Sequence, residues 1–550
     1  MIRKKIIIFG LILITILLIV LQDKKSHVNK SKEEKSFVIV IPSYNNSEWY
    51  ERNLHSVFMQ QYSNYRVIYI DDYSSDKTYE FVKSYIEQHD QINRVTLIRN
   101  STRRGAMANH FKAGHMCEDY EIIVDLDGDD WFKDEYVLQK LNKVYADPNV
   151  WMTYGQFEKY PGGRQGFCRE FPTIIHEKNL YREYEWISSH LRSFYAWLFK
   201  RIRLKDCLYR GMWLPVNCDK VIMFSLLEMA RDHSKFIPDV LYVYNCATPL
   251  NDYKQYLISQ RYYDKVIDTR KKYARVKQAP DLTKSSNKDA PIALVIFSED
   301  NPMLLYALLE SVHNYFSGPF HINVLFHTNT DRFEKGYNEL KKLFDEVSFY
   351  AYQQGSQSSL PCVMEKLIGQ TQYVLFARDG IIIKEPIDLQ RCIHELEKTS
   401  AYGFYLTLGK NITRHYKLCR QQKLPPFIDL ENDMYAWQFD CGEYDWKKPH
   451  TISLGLYRTA DIKKAFSNVV YDNPVLFEEL WQGITFDMSH VGLAFECSPA
   501  LILENPLLQS TLLGLFEEGF KLDLSCLLGI TNQAMHIEKE MHLLNRETIC

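Results

Sequence analysis

The sequence lacks several patterns that would each assign it to a common class of protein. It contains neither the phosphate-loop motif GxxxxGKS/T nor GxGxxG, which argues against a kinase-like ATPase and against a dehydrogenase. None of its 12 cysteines forms a CxxC pair or a cluster with zinc-finger spacing, so neither a disulfide scaffold nor a structural zinc is predicted. The net charge of only -3 gives no reason to expect a nucleic-acid partner.

Large apolar and aromatic residues, by contrast, are abundant. The chain has 37 Tyr and 30 Phe, 46% of its residues are hydrophobic and 25% are charged, which excludes a disordered or fibrous protein. Its 550 residues exceed the roughly 100–200 residues of one domain, so two to four domains are expected.

Residues 6–21 form a hydrophobic run interrupted only by Gly10 and Thr15, with basic residues on both sides. The run is slightly shorter than the ~20 residues that span a bilayer, and flanking lysines can make up the difference. We expect an uncleaved single-pass anchor with its amino terminus in the cytoplasm. A cleaved signal peptide or a buried core helix is the alternative, although no A-x-A-like site follows the run.

Composition and pattern divide the chain into five predicted segments. These are an anchor with a charged stalk (1–35), an α/β domain (36–262), a charged linker (263–290), a second, related domain (291–510) and a helical tail (511–550).

The first α/β domain shows strands that alternate with helices. Apolar strands at 36–41, 66–70, 94–98 and 120–124 predict a doubly wound, mostly parallel sheet. Because ligands bind beyond the carboxyl ends of such strands, the polar segments that follow these strands are candidate binding loops.

Four aspartates follow the fourth strand in close succession: Asp125, Asp127, Asp129 and Asp130. Carboxylates this close repel one another unless a cation lies between them, and oxygen ligands suit Mg²⁺ or Mn²⁺ bound together with a diphosphate. Gly128 permits a close approach of the ligand. A solvated acidic turn is the alternative, since Asp-Gly is a common turn dipeptide.

Asp71 and Asp72 end the second strand. An acid there can accept hydrogen bonds from a base or from ribose hydroxyls, and it can also cap a helix. The acidic cluster after the fourth strand favours the nucleotide.

The segment 38–57 aligns without gaps on the segment 293–312, and the shared residues predict a second copy of the fold. Chance similarity between strand–turn–helix units is the alternative. The second copy has lost the acids: Asp379 is the only one after its fourth strand, and we expect it to pair with Arg378 rather than to bind metal. An inactive second domain is therefore predicted.

Three motifs in this order resemble glycosyltransferase family 2: VIVIPSYNNSEWYERNLHSVFMQQYSNYRVIYIDDYSSDKT, RNSTRRGAMANHFKAG and IIVDLDGDDWF. The resemblance covers roughly residues 37–250. It implies a GT-A fold and transfer of a sugar from a nucleotide-diphosphate donor, with Mn²⁺ or Mg²⁺ and with inversion. The hydroxyl acceptor, on a glycan, a lipid or a protein, is left open.

The resemblance also implies roles for individual residues. The donor nucleotide would be bound by Pro42, Tyr44, Asp71, Asp72 and Asp127. Asp127 and Asp129 would form the DXD metal pair with Asp130 beside them. The segment LPVNCDKVIMFSLLEMA (214–230) is similar to the element that carries the catalytic base, which makes Asp219 the candidate; a helix N-cap is its alternative role.

The chain departs from the family pattern at two points. No histidine follows the closing strand at 237–245, so the third metal ligand is open, and no QxxRW motif or further membrane span indicates a polymer-extruding synthase. The segment 190–199 either holds acceptor or phosphate through His190 and Arg192 or forms an amphipathic helix.

Two other functions compete with sugar transfer. One is an inactive carbohydrate-binding or scaffold protein of the same fold. The other is a nucleotidyltransferase, which would usually carry a glycine-rich basic loop after the first strand, where this chain has IPSYNNSEW.

Overall fold

The computed structural model describes residues 34–249, 256–282, 292–353, 359–466, 471–504 and 507–546. The predicted anchor at 6–21 lies outside these residues and stays a prediction. Among the helices in the described ranges, none is both long and apolar enough to cross a membrane.

The chain divides into two compact units. One comprises the described residues up to Phe199 together with Ile222–Gln278, and the other comprises Lys200–Val221 together with the described residues after Ala279. The second unit thus includes a segment from the first half of the chain, which the sequence pattern did not predict.

The first unit is an α/β unit with one large sheet. Its strands are β1 (Phe37–Ser43), β2 (Tyr65–Asp71), β3 (Val95–Arg99), β4 (Ile122–Asp125), β5 (Trp131–Phe132), β6 (Met152–Tyr160), β7 (Arg164–Gln165), β8 (Arg192–Tyr195) and β11 (Ser234–Asn245). Its helices are α1 (Tyr50–Phe58), α2 (Thr78–Gln88), α3 (Ala106–His115), α4 (Val137–Val144), α5 (Thr173–Lys178), α6 (Ala196–Phe199), α7 (Cys218–Ala230, which begins in the second unit) and α8 (Leu257–Asp268).

The sheet of the first unit is mixed, with the order β3, β2, β1, β4, β8, β6, β11, β5. The first four strands are parallel, as predicted. The remainder is mixed rather than mostly parallel: β6 and β11 are parallel, whereas β8 is antiparallel to both of its neighbours and β5 is antiparallel to β11. Residues 37–41 of the central strand β1 are buried, as expected for a parallel strand that is covered on both faces. The polar loops follow the carboxyl ends of these parallel strands, at one edge of the sheet.

A buried ion pair joins the segment after α5 to α7. Arg182 donates to Glu228 from Nε at 2.5 Å and from Nη2 at 2.9 Å, and the two side chains are only 4% and 0% exposed. The backbone N–H of Tyr273 also donates to Glu228, at 2.8 Å. The pair therefore ties three separate chain segments together.

Glu228→Gln is expected to lower the free energy of unfolding by about 3–5 kcal/mol, because it leaves the Arg182 guanidinium buried without its counter-charge. Urea denaturation of the two proteins measures the difference. The matched control is Glu183→Gln, which removes an exposed partner of Lys272 and should cost less than about 1 kcal/mol. Equal losses in the two variants would contradict the importance of burial.

The second unit is also an α/β unit. Its strands are β9 (Leu208–Tyr209), β10 (Met212–Trp213), β12 (Ile292–Glu299), β13 (Phe316–Ser317), β14 (Phe320–His327), β15 (Ser348–Ala351), β16 (Tyr373–Arg378), β17 (Ile381–Ile383), β18 (Ile387–Asp388), β19 (Gly403–Tyr405), β20 (Arg414–His415), β21 (Arg420–Gln421), β22 (Ile428–Asp429), β23 (Met434–Gln438), β24 (Gly455–Arg458), β25 (Val491–Phe495), β26 (Ala500–Glu504), β27 (Phe520–Leu522), β28 (His536–Glu538) and β29 (Leu543–Asn545). Its helices are α9 (Pro302–Tyr315), α10 (Asp331–Leu343), α11 (Leu360–Ile368), α12 (Leu389–Thr399), α13 (Thr459–Phe466), α14 (Pro474–Gln482) and α15 (Gln509–Glu517).

The main sheet of the second unit repeats the topology of the first. Its order is β15, β14, β12, β16, β24, β19, β25, β23, β22, again with four parallel strands followed by an antiparallel one. The register also agrees: Phe37 pairs with Tyr65 in the first unit, and Ile292 pairs with Phe320 in the second, at the same offset that aligns 38–57 with 293–312. The sequence offset therefore corresponds to a structural equivalence of strands.

Candidate functional site

Loops from three parallel strands of the first unit meet at the carboxyl end of β1. Gly128 lies so close to β1 that a Cβ atom on it would be 2.7 Å from Ser43 Oγ and 2.8 Å from Asn46 Nδ2. Ser43 Oγ itself accepts hydrogen bonds from Asn46 Nδ2 at 3.0 Å and from the Tyr69 hydroxyl at 2.8 Å. Glycine is therefore required at position 128 so that the acidic loop can pack against the loop after β1.

Asp127 is the centre of the acidic cluster. Its carboxylate belongs to two groups of side chains whose ligand atoms lie within 4.8 Å of one another, one with His110 and Asp125 and the other with Asp130 and His190. Asp127 is the most exposed member, with a third of its side chain accessible. Among the described residues, Asp129 belongs to neither group, so the geometry favours Asp127, Asp130 and a histidine as a ligand set.

Asp130 is a buried carboxyl group with two other aspartates close by. It accepts hydrogen bonds of 2.6 Å from the Tyr242 hydroxyl and from the backbone N–H of Asn245. Burial, together with the charges of Asp129 and Asp127, raises its pKa well above the usual value for an aspartate. A divalent cation would offset this repulsion, so the residues present fit a metal that prefers carboxylate oxygen.

Asp125 has a permanent counter-charge instead. Arg192 Nη2 lies 2.9 Å from Asp125 Oδ2, and both side chains are only 3% exposed. Arg192 is the first residue of β8, which pairs with β4. The hypothesis of an amphipathic helix at 190–199 is thus wrong for residues 192–195, which form a strand. Arg192 forms its ion pair with Asp125 between these two neighbouring strands.

His190 offers a nitrogen that could bind a metal, a role that the sequence pattern did not assign. Its ring stacks on Tyr242 with 4.4 Å between centroids, and its Nδ1 has no hydrogen-bond partner among the described residues. Burial, helped by Arg192, lowers its pKa well below the usual value. The imidazole is therefore neutral at pH 7, the form that binds metals.

The two aspartates after β2 differ in their surroundings. Asp72 accepts three hydrogen bonds of 2.8 Å, from Asn100 Nδ2 and from the backbone N–H groups of Arg104 and Gly105. It therefore fixes the loop before α3. Asp71 is fully buried, which raises its pKa, and its Oδ1 has no hydrogen-bond partner among the described residues. Nucleotide contacts of both residues stay predictions.

The loop after β1 is held firmly against the loop after β2. The backbone N–H groups of Asn45, Asn46 and Ser47 donate to Ser74 Oγ, Thr78 Oγ1 and Asp76 Oδ2 at 2.8–3.0 Å. This bracing positions Pro42 and Tyr44, which are both partly exposed. The Tyr44 ring lies 3.9 Å from the Arg103 guanidinium. An aromatic ring and a cation are therefore in contact at the same end of the sheet as the acidic cluster.

Asp219 lies in the first turn of α7, and its Oδ1 accepts a hydrogen bond of 2.8 Å from the backbone N–H of Lys220. It belongs to the part of α7 that is grouped with the second unit. Its role as a base stays a prediction.

The second unit has a different residue at the equivalent of Asp127. Asp125 pairs with Val40 in the first unit, and Phe376 pairs with Val295, the equivalent of Val40, in the second. Arg378 therefore occupies the position of Asp127. No cluster of three metal-ligating side chains is found in the described residues of this unit.

The expected ion pair between Arg378 and Asp379 is wrong. Asp379 accepts instead from Ser298 Oγ at 2.9 Å and from the backbone N–H of Glu299 at 3.2 Å. These contacts draw the carboxylate toward β12. Burial raises its pKa to about 6.

Asp379 predicts a pH-dependent change in stability. The folded-state pKa of about 6 exceeds the usual 3.8, so stability is lost as the pH rises from about 4 through 6. For this partly buried group we expect a loss of about 1–2 kcal/mol. Asp379→Asn should remove that loss, which urea denaturation at pH 4.5 and 7.5 measures. Donor turnover should be unchanged in this variant; loss of turnover with an intact fold would show that the second unit carries chemistry.

In open α/β sheets ligands bind beyond the carboxyl ends of the parallel strands, which is where this unit has its cluster of acids. Residues 38–206 match the family model for glycosyl transferase family 2. This part of the chain is therefore a glycosyltransferase family 2 domain, as the three motifs predicted.

Curated relatives cover the same part of the chain. Glycosyltransferase GlyA of Streptococcus pneumoniae is 24% identical over 176 residues, which are 30% of this chain and 25% of GlyA. The putative teichuronic acid biosynthesis glycosyltransferase TuaG of Bacillus subtilis is 33% identical over 102 residues, 18% of this chain and 39% of TuaG. The chain thus matches between a quarter and two fifths of the length of these two relatives.

Among solved structures, S. aureus TarS residues 1–349 in complex with UDP-GlcNAc is similar with a TM-score of 0.30 and 15% identity. The similarity covers 39% of this chain and 59% of that one.

Proposed function

We propose that the protein is a membrane-tethered glycosyltransferase that moves a sugar from a nucleotide-diphosphate donor to a hydroxyl acceptor with inversion. The observation that carries the proposal is the convergence of Asp127, Asp130 and His190 within a glycosyltransferase family 2 domain. The predicted segment 6–21 would anchor the protein by a single pass.

Asp127, Asp130 and His190 would hold Mn²⁺ or Mg²⁺. When bound, the metal supplies positive charge that stabilises the leaving diphosphate. Tyr242 and the backbone of Asn245 orient the Asp130 carboxylate. Because Arg192 lies closer to Asp125 than to Asp127, at 2.9 Å against 3.9 Å, Asp125 is the carboxylate least in need of the ion.

The donor base would lie near Tyr44, whose ring is held beside Arg103. Asp71 Oδ1, which has no hydrogen-bond partner among the described residues, would accept from a base N–H or a ribose hydroxyl, while Asp72 fixes the surrounding loop. Asp219 would take the proton from the acceptor hydroxyl while the oxygen of that hydroxyl attacks the anomeric carbon and the nucleoside diphosphate leaves. One direct displacement of this kind inverts that carbon.

A screen of the purified full chain against a panel of nucleotide sugars tests the proposal. We expect release of a nucleoside diphosphate from one donor in Mn²⁺ or Mg²⁺ and none in excess EDTA. Release of a sugar 1-phosphate, with the nucleoside monophosphate group moved to an acceptor, would indicate a nucleotidyltransferase. Binding of sugar without turnover of any donor would indicate an inactive carbohydrate-binding protein, and either result would overturn the proposal.

A further inference from the structure

A cavity of about 250 Å³ lies in the second unit, at the carboxyl end of β16. Arg378, the last residue of β16, lines it at the position that Asp127 occupies in the first unit. Side chains from later parts of the same unit complete the wall, and its charged or titratable members include Arg378, His415, Asp445, Lys448, Glu478 and His536.

Arg378 has no ion-pair partner among the described residues, although its charge partly offsets the burial that raises the pKa of the neighbouring Asp379. Within the described ranges its Nε is buried without a hydrogen-bond partner. The neighbouring Asp379 is hydrogen-bonded to Ser298 and Glu299 instead. A partly buried cation without a partner is unfavourable, so Arg378 is available to pair with a negative group of a ligand.

The other inward charges already have partners. Asp445 lies 3.2 Å from Lys448 Nζ and 3.5 Å from His415 Nε2. Glu478 Oε1 accepts from Thr451 Oγ1 at 2.9 Å and from the backbone N–H of Ile452 at 3.1 Å. Lys417 and Glu479, which also line the cavity, are exposed and opposite in sign. The charges of the wall therefore balance, with Arg378 as the cation and Glu478 as the carboxylate that no ion pair within the wall holds.

The remaining groups of the wall suit a ligand with several hydroxyls. Burial lowers the pKa of His415 and of His536, so both imidazoles are neutral at pH 7. His415 Nδ1 accepts from the backbone N–H of Leu418 at 3.2 Å and His536 Nδ1 lies 2.5 Å from Glu504 Oε1, which leaves the Nε2 atom of each ring for a ligand. Thr407, Ser453 and Gln482 add further polar groups. The volume is below the roughly 300–1,000 Å³ of ordinary ligand pockets, which limits the ligand to about the size of a monosaccharide.

We propose that the second unit binds a monosaccharide-sized anion, a sugar phosphate or a uronate, in this cavity, with Arg378 pairing with its phosphate or carboxylate. The hydroxyls of the sugar would contact the neutral histidines and the carboxylates of Asp445 and Glu478. This binding needs no metal and is independent of the proposed sugar transfer in the first unit.

Calorimetric titration of the full chain in excess EDTA tests the proposal with glucose 1-phosphate, glucuronate, glucose and inorganic phosphate. We expect one of the two sugar anions to bind at least about 10-fold more tightly than glucose and inorganic phosphate. The identity of that anion distinguishes the phosphate from the uronate. Absence of binding by both anions at about 10 mM, or equal binding of glucose, would overturn the proposal.

Variants locate the binding. Arg378→Gln should weaken binding about 10-fold or more, whereas Arg378→Lys, which keeps the charge, should weaken it less. Arg391→Gln is the matched control, because Arg391 is exposed on α12 and does not line the cavity. Undiminished binding in folded Arg378→Gln would place the anion elsewhere and refute the assignment.

A measurement on the unaltered protein covers the case in which Arg378→Gln does not fold. Phenylglyoxal modifies accessible arginines, and mass spectrometry reports the modified fraction at Arg378 and at Arg391. The sugar anion should protect Arg378 and leave Arg391 unprotected. Equal protection, or none at Arg378, would overturn the proposal without reference to any variant.

Discussion

Asp127→Asn is expected to weaken Mn²⁺ binding by more than about 100-fold and to abolish measurable sugar transfer. Removing a residue that only hydrogen-bonds to a metal ligand typically lowers metal affinity about 10–100-fold. Asp127 should matter more, because it is itself a candidate ligand and is shared by both groups. The fold should survive, because Asp127 is partly exposed and its backbone contacts with Asn53 and Tyr242 do not need the carboxylate.

Metal titration followed by electron paramagnetic resonance of Mn²⁺ measures the affinity without relying on turnover. Asp129→Asn is the informative comparison, because the motif pairs Asp127 with Asp129 whereas the geometry groups Asp127 with Asp130 and His190. We expect Asp129→Asn to retain most of the Mn²⁺ affinity and His190→Asn to lose it. Full affinity in Asp127→Asn would remove the metal site from this loop altogether.

The elements that could be predicted are those whose signal lies in consecutive residues of the sequence. Each of the first four strands is an apolar run that ends in a polar segment, so both its position and the location of the loops after it follow from local pattern. The equivalence of the two units could be predicted for the same reason. Apolar strands persist where folding requires them, and one constant offset relates Phe37 to Ile292 and Tyr65 to Phe320.

The histidines of the candidate site could not be predicted from local pattern. His190 reaches the acids because β8, which begins just after it, pairs antiparallel with β4, a strand that lies well before it in the sequence. His110 reaches them because α3 lies beside β1. The segment HLRSFY gives no clear local signal for this strand either, because its apolar and polar residues do not alternate and all but Tyr195 are buried.

The assignment of Lys200–Val221 to the second unit also depends on long-range contacts. Lys205 Nζ lies 2.6 Å from Asp487 Oδ2, and the backbone N–H of Gly211 donates to Gln438 Oε1 at 2.6 Å. Both partners belong to much later parts of the chain. No periodicity or turn signal in the segment itself indicates such a connection.

Asp219→Asn is expected to lower kcat by about 10²–10⁴-fold, the usual contribution of a general base, while donor and metal binding stay unchanged. Asp219 lies in the first turn of α7, and the amide oxygen of asparagine can still accept the hydrogen bond from Lys220. The substitution removes the ionisable group and its interaction with the helix dipole, which is worth about 0.3–1 kcal/mol. A small change in the stability of α7 with a large loss of kcat would therefore separate the catalytic role from a structural one.

Steady-state kinetics with the identified donor, and calorimetric titration of donor with Mn²⁺, provide the two readouts. Asp206→Asn is the matched control, since Asp206 lies in the same chain segment and pairs with Arg203 at 2.8 Å. We expect its kcat to stay within a few-fold of that of the unaltered protein. If Asp219→Asn keeps its full kcat, Asp219 has a structural role and the base is another residue. If its donor affinity falls in parallel with kcat, Asp219 acts in binding rather than in proton transfer. A base that acts only on the acceptor hydroxyl stabilises the transition state and does not contribute to binding of the donor.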